Sequence, residues 1–443
     1  MFLPAYILEC MEALEAAGFA AYAVGGCVRD ACLGLTPQDY DLCTSALPEQ
    51  TEEVFRDRKL VLAGKKHGTV GVVTDYGVVE ITTFRTEGEY RDNRHPDWVE
   101  FVSHIEQDLA RRDFTVNAMA YSPKRGFADP FGGREDLENR VLRAVGDPVK
   151  RFREDSLRIL RGARFAARYG LRVEAATSAA MLSEAHLMDN LARERVFDEL
   201  CKLIVLAEAA DIMAFTPILG AVLPELKPMI GFDQRSPHHA YDLLTHTAHV
   251  VAGVPRDLAL RWAALLHDIG KVPTFTQDET GRGHFYGHAP KGAEMADAIL
   301  HRLKAPTVLR ERVVLLIEKH MLRLQPEKKQ LRRYLGRYGW ETVEQMLLLQ
   351  QADMGSKGTG KREEMDIFPK IRRVLQEIAE ENACLSRKDL AVNGHDLMAL
   401  GITGKDIGRL LNALLEQVID EKLPNEKAAL LARIRKENAG EGQ

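Results

Sequence analysis

The sequence predicts an α+β fold, with a mixed sheet and its helices over residues 1–142 and an all-α remainder. Two observations carry this division. Short β-branched runs, KLVLAG, GTVGVVTDYGVVEITTF and WVEFVSH, crowd the first third, and the middle one reads as a hairpin around Asp75-Tyr76-Gly77. After Val145 the strand signals almost vanish, and apolar residues recur at helical spacing between breaks at Pro148, Pro217, Pro224, Pro228, Pro237, Pro255, Pro306, Pro326 and Pro369. A chain of 443 residues with 45% hydrophobic content can fill several cores. The expected boundaries give a head over 1–142, a helical segment over 143–212, a helical body over 213–358 and a helical tail over 359–443. Met354–Asp366, glycine-rich and charged, reads as a linker.

Sixty Lys+Arg against 65 Asp+Glu give a net charge of −5, so any nucleic-acid contact must come from local basic stripes. No apolar run approaches transmembrane length, which excludes a membrane partner. The opening MFLPAYILECMEALEAAGF reads as an amphipathic helix with acidic residues, without the basic start of a signal peptide. The six cysteines show no CxxC pair or zinc spacing and fit thiols in a reducing cytoplasm. No obligate protein partner is evident.

The stretch Ala21–Leu42, AYAVGGCVRDACLGLTPQDYDL, is the most informative. Ala21–Val24 and Asp39–Leu42 read as strands, which puts Asp39 and Asp41 on one face. Paired carboxylates repel unless a cation lies between them, and oxygen-only ligands at that spacing suit Mg²⁺. Gly25-Gly26 lets backbone N–H groups approach a phosphate, and Arg29 can add a charged fork. Further on, Arg111, Arg112, Asp113 and Asn117 in RRDFTVNAMAY could reach phosphate and ribose hydroxyls. In EDSLRILR, Asp155 and Arg158 read as three apart on one helix face, an acceptor and a donor suited to a nucleobase edge. Arg161, Arg164 and Arg168 extend a basic stripe down the same helix.

These motifs, in this order, resemble the nucleotidyltransferases of the DNA polymerase β superfamily, and within them the tRNA nucleotidyltransferase and bacterial poly(A) polymerase class. The resemblance covers nearly the whole chain. It implies a polymerase-β-like head followed by neck, body and tail, and a third carboxylate at Glu80 beside Asp39 and Asp41. Those three would be catalytic, with two Mg²⁺ ions on the aspartates. Gly25, Gly26, Arg29, Arg112, Asp113 and Asn117 would bind the nucleotide. Asp155 and Arg158 would template the incoming base, with Arg161 and Arg164 lining its pocket. The resemblance further implies CTP and ATP as nucleotides and tRNA, at its acceptor end and elbow, as partner. Arg85–Val102 resembles the flexible loop of enzymes that add the terminal A, which favours full CCA addition. Ala192–Ile204 resembles the helix that braces the pocket, and Asp389–Leu431 resembles the tRNA-gripping tail.

A second constellation runs through the helical body: His246, His267-Asp268 in LLHDIGK, and Asp353. The order H…HD…D resembles the HD phosphohydrolase superfamily, and His288 and His320 could supply a second ion. Borderline ligands of this kind suit Mn²⁺, Ni²⁺, Fe²⁺ or Zn²⁺ better than Mg²⁺. An adjacent His-Asp faces one metal only where its helix ends, and Gly270 reads as that end. The rival readings are a poly(A) polymerase of the same class, and an HD metal-dependent RNA phosphohydrolase with a binding-only head.

Overall fold

The computed structural model describes residues 1–87, 99–236, 240–358, 365–381 and 383–440. The chain divides into two compact units. One comprises Met1–Lys227 with Arg302–Ala305, the other Pro228–His301 with Pro306–Gln443.

In the first unit, helix α1 (Ala5–Ala16) buries Ile7, Cys10, Met11 and Leu14, the three-and-four spacing of one helical face. Strands β1 (Ala21–Val24), β2 (Asp41–Thr44), β3 (Leu60–Val61), β4 (Thr69–Thr74) and β5 (Gly77–Thr83) follow, with α2 (Gly26–Cys32) and α3 (Pro48–Val54) between them. The expected hairpin joins β4 to β5. Strands β6 (Arg85–Glu87) and β7 (Val99–Phe101) pair antiparallel as the stem of the Arg85–Val102 segment, whose residues 88–98 lie outside the described residues. Strands β8 (Ala120–Ser122) and β9 (Gly126–Ala128) complete a seven-stranded sheet of order β3-β4-β5-β2-β1-β8-β9. It is antiparallel except where β2 runs parallel to β5, with Leu42 opposite Ile81. Tyr22, Val24, Cys43, Phe84, Ile105, Leu109 and Val145 form a core beneath it.

Helices α4 (Ile105–Ala110) and α5 (Gly133–Glu138) flank the sheet elements. Then come α6 (Pro148–Glu154), α7 (Leu157–Tyr169), α8 (Ala175–Ser183), α9 (Arg193–Leu206) and α10 (Ala209–Val222). Pro148 opens α6 at a position where its missing N–H costs nothing. Pro217, expected to break a helix, lies inside α10 instead. The carbonyl it strips of a partner belongs to Met213, an exposed residue.

The second unit carries α11 (Leu243–Gly253), α12 (Leu258–Leu266), α13 (His288–Arg302), α14 (Thr307–Lys319), α15 (Lys328–Tyr338) and α16 (Trp340–Gly355). It ends in α17 (Ile367–Glu380), α18 (Gly394–Met398), α19 (Lys405–Ile419) and α20 (Lys427–Gly440). Of the expected linker, residues 359–364 lie outside the described residues. The last three helices enclose their own core of Leu397, Ile402, Leu410, Leu414, Leu430 and Ile434. No described helix is long and apolar enough to cross a membrane.

Candidate active site

The turn between β1 and α2 is built on Gly25, whose φ of +72° and ψ of −119° suit glycine alone. Its N–H donates to the Met119 carbonyl at 3.0 Å. A Cβ on Gly25 would lie 2.8 Å from Arg112 Nη1, so the missing side chain is what lets that guanidinium approach the turn.

β2 begins at Asp41 rather than at Asp39; the strand expected over Asp39–Leu42 is therefore shifted, and Asp39 sits just ahead of it. Both aspartates are exposed while Leu42 is buried. The parallel register that pairs Leu42 with Ile81 sets Asp41 beside Glu80, also exposed, on the neighbouring strand. Desolvation and the Glu80 carboxylate push the Asp41 carboxyl above its usual range, with Arg112 pulling down and Asp39 adding to the rise. A like-charged trio of oxygen donors strained in this way suits a divalent cation, which would relieve the repulsion.

Arg29 is placed differently from its expected open fork. It is buried, and its guanidinium donates to Asp30 Oδ1 (2.9 and 2.7 Å), Asn117 Oδ1 (2.5 Å) and the Tyr169 hydroxyl (2.5 Å). It also lies 4.4 Å from the Tyr169 ring centroid. It ties the turn to the end of α7. Arg112 Nη2 donates to Asp108 Oδ2 at 3.3 Å, and its charge is the one that pulls the Asp41 carboxyl down.

Asp113 and Asn117 are likewise enclosed. Asp113 Oδ1 accepts from Phe114 N and Asn117 Nδ2, and Oδ2 accepts from Arg161 Nε and Nη2 at 2.9 and 2.7 Å. Burial opposes its charge, yet Arg161 and Asn117 hold the carboxyl down at about 2. A folded pKa below the unfolded value of roughly 4 stabilises the fold fully above that pH and loses the contribution as pH falls toward the folded value. Asp113→Asn should therefore lower stability at pH 7 by about 2 kcal/mol. In acid-denaturation curves the gap to the parent chain should close below roughly pH 4; a gap constant with pH would refute this assignment.

The expectation that Asp155 and Arg158 share a helix face is corrected. Asp155 stands in the break between α6 and α7, extended at φ −142°, ψ 102°. Its Oδ1 accepts from Leu157 N at 3.1 Å, and its Oδ2 from Arg195 Nη2 at 3.2 Å. Such a short acid side chain competes for backbone donors and so favours a break over a helix interior. Arg158 is buried; Nη1 donates to Glu154 Oε2 and the Arg151 carbonyl, and Nη2 to the Arg111 carbonyl. Arg164 Nε donates to Glu199 Oε2 at 2.6 Å.

In the second unit the six HD-type residues come together. The helix does end where expected, with His267 capping α12. Gly270, however, has no positive φ. Its Cβ would meet the His288 carbonyl at 2.2 Å, so glycine is needed there for close packing. Asp268 is the hub. Its Oδ2 faces His267 Nε2 (3.1 Å), His246 Nε2 (3.6 Å) and Lys271 Nζ (2.7 Å), and its Oδ1 faces His288 Nε2 (3.6 Å) and His320 Nε2 (3.7 Å). Asp353 Oδ1 lies 3.1 Å from His246 Nε2. Among the described residues, two groups bring three ligand atoms within 4.8 Å of one another: His246-His267-Asp268 and Asp268-His288-His320.

Each histidine turns Nδ1 toward a backbone carbonyl, of Ser356, Ala264, Phe285 and Ile317 in turn, at 3.2, 2.8, 2.8 and 2.6 Å. With Nδ1 so engaged, each Nε2 is the ring atom that faces the cluster around Asp268. Burial lowers the His288 and His320 pKa values, the latter to about 4, so both are neutral at pH 7. Two neutral lone pairs 3.2 Å apart, as His288 and His320 Nε2 are, repel unless a cation sits beside them. The donor set thus fits two divalent cations bridged by Asp268. A cleft of about 280 Å³, lined by His320, Asp353, Arg323, Lys357 and Phe368 among others, reaches the edge of this cluster at His320 and Asp353.

Family models match in three places. "Poly A polymerase head domain" covers 21–143, "Probable RNA and SrmB- binding site of polymerase A" covers 170–230, and a tRNA nucleotidyltransferase domain 2 model covers 289–434. A curated CCA-adding enzyme of Streptococcus thermophilus is 34% identical over 433 residues, 96% of this chain and 95% of its own. One from Levilactobacillus brevis is 33% identical over 96% of each chain. The chain belongs to the CCA-adding enzyme family. The crystal structure of the Bacillus stearothermophilus CCA-adding enzyme in complex with CTP superposes with a TM-score of 0.71, at 27% identity over 99% of this chain and 100% of that one.

Three residues that build this site carry no signal in the sequence. Tyr169 anchors Arg29, Glu154 holds Arg158, and Arg195 holds Asp155. The helix carrying Arg195 was legible as a brace, but its partner was not.

Proposed function

We propose that this chain adds C, C and A in turn to the 3′ end of tRNA, from CTP and ATP, with release of pyrophosphate. The observation that carries the reading is the register that seats Asp41 beside Glu80, with Asp39 adjoining and Arg112 at the glycine turn. Full-length identity to enzymes named for CCA addition supports it over poly(A) synthesis. Asp39 and Asp41, with Glu80, would hold two Mg²⁺ ions. When bound, these lower the pKa of the tRNA 3′-hydroxyl and stabilise the departing pyrophosphate. Gly25 and Gly26 admit the triphosphate to the backbone, and Arg112 binds its phosphates. Arg29, Asp113 and Asn117 contribute by fixing that turn. Asp155 and Arg158 read the base, with Arg161 and Arg164 setting the helix that carries Arg158. The head, neck, body and tail divide near residues 142, 212 and 358, and the tail grips tRNA. The protein works in the cytoplasm, where tRNA is matured and repaired.

A second activity, metal-dependent phosphohydrolysis, is favoured by the Asp268 cluster. His246, His267, Asp268 and Asp353 would hold one transition-metal ion, and Asp268, His288 and His320 a second. When bound, such ions activate water for attack on a phosphoester.

Incubating the protein with tRNA lacking its 3′ end, CTP and ATP, then sequencing the ends, tests the main reading. Ends completed to CCA are expected. Long A tails, or a stop after CC, would contradict it.

A further inference from the structure

A row of side-by-side positions crosses one face of the seven-stranded sheet. The register pairs Val61 of β3 with Gly71 of β4, and Gly71 with Glu80 of β5, the residue beside Asp41. Val78 lies two residues before Glu80 on β5 and so shares its face. The other face is shut: Val70, Val72, Val79 and Ile81 are at most 2% exposed. On the face of the carboxylates, Val61 is 41% and Val78 53% exposed. Gly71 between them is buried. A Cβ there would lie 2.8 Å from Val78 Cγ1 and 3.1 Å from Val61 Cβ, so the two valines close over the glycine into one apolar pad.

The sheet order decides what reaches this pad. On one side of Asp41 stands β1 with the Gly25 turn and Arg112, the parts assigned to the triphosphate; on the other stand β5, β4 and β3. In-line displacement at phosphorus sets the entering hydroxyl and the departing pyrophosphate on opposite sides of the reacting atom. With the pyrophosphate at the β1 turn, the tRNA 3′-hydroxyl enters from the β5 side. Neighbouring strands lie about 4.8 Å apart, and residues two apart on a strand about 7 Å, so the pad falls within the span of the nucleotide that bears this hydroxyl. We propose that Val61 and Val78, kept level by Gly71, seat the 3′-terminal base of the tRNA acceptor while its hydroxyl attacks. The proposal rests on nucleotide addition at the carboxylates of β2 and β5. Methyl groups offer a base apolar contact with no donor or acceptor, so the seat holds purines and pyrimidines alike. That suits an acceptor whose last base varies before the first addition and is cytosine before the second and third.

The test compares the full chain with Val61→Thr, Val78→Thr and the double variant, which keep the branched shape and exchange one methyl for a hydroxyl. The acceptors are tRNAs ending before the CCA, after the first C and after the second. Each single variant should lower kcat/KM for the acceptor about threefold, and the double variant about tenfold, alike at all three ends. The KM for CTP and ATP and the melting temperature should match the parent. An acceptor whose last nucleotide lacks its base should be used equally poorly by the parent and the double variant, because the base is what the valines hold. Unchanged use of intact acceptors by the double variant would overturn the proposal, as would a loss that persists in full on the abasic end. A raised KM for CTP or ATP with acceptor use intact would place the incoming base on the pad instead, and overturn it too. A parent chain that extends none of the intact ends would contradict nucleotide addition itself, whereas a parent that extends them and a double variant that matches it contradict the seat alone.

Discussion

Asp41→Ala is expected to abolish incorporation of both C and A, by about 10³-fold or more, while tRNA affinity stays within about twofold of the parent. The head carboxylates face outward from β2 and β5, so no core packing is lost with the substitution. What is lost is the ligand at the centre of the trio, the one that faces Glu80 across the strand pair and Asp39 along the chain. A divalent cation would offset that mutual repulsion, and without its ligand the leaving pyrophosphate would keep only Arg112 and the glycine turn to stabilise its charge. Primer-extension assays on tRNA ending before the CCA, with filter binding on the same samples, measure both effects. Normal incorporation would sink the metal assignment.

The second large effect lies in the other unit. Asp268→Ala should reduce bound Mn²⁺ or Ni²⁺ from about two ions per chain to near none, because each carboxylate oxygen serves a different histidine pair. His320→Ala removes a ligand from one group alone and should leave about one ion. Plasma-mass-spectrometric metal content gives the count. Metal should also raise the melting temperature of the parent chain by mass action and leave that of Asp268→Ala unmoved. Equal metal content in the parent and Asp268→Ala would refute the bridging role. Lys271 lies 2.7 Å from Asp268 Oδ2, so Asp268→Ala will also strand a buried cation and soften this region.

How far the residues alone reach depends on the distance over which their chemistry acts. β1 is legible because four apolar residues end at a glycine pair, and the β4–β5 hairpin because its turn is local. The HD cluster is legible as well, since four histidines and two aspartates recur on helices whose ends fix their direction. The adjacency of Asp41 and Glu80 is a different matter. It arises from parallel pairing of strands separated by two others in sequence, which no local pattern encodes. Arg29 reads as a phosphate fork because nothing near it announces Tyr169, 140 residues later. Asp155 reads as helical because EDSLRILR holds no glycine or proline. The break comes from its own side chain capturing the Leu157 N–H.

The most direct measurement sequences the tRNA 3′ ends made side by side by Asp41→Ala and Asp268→Ala enzyme supplied with CTP and ATP. The head site predicts complete CCA ends from Asp268→Ala and no extension from Asp41→Ala. Extension by Asp41→Ala, or its loss in a folded Asp268→Ala enzyme, would contradict the assignment of nucleotide addition to the carboxylates of β2 and β5.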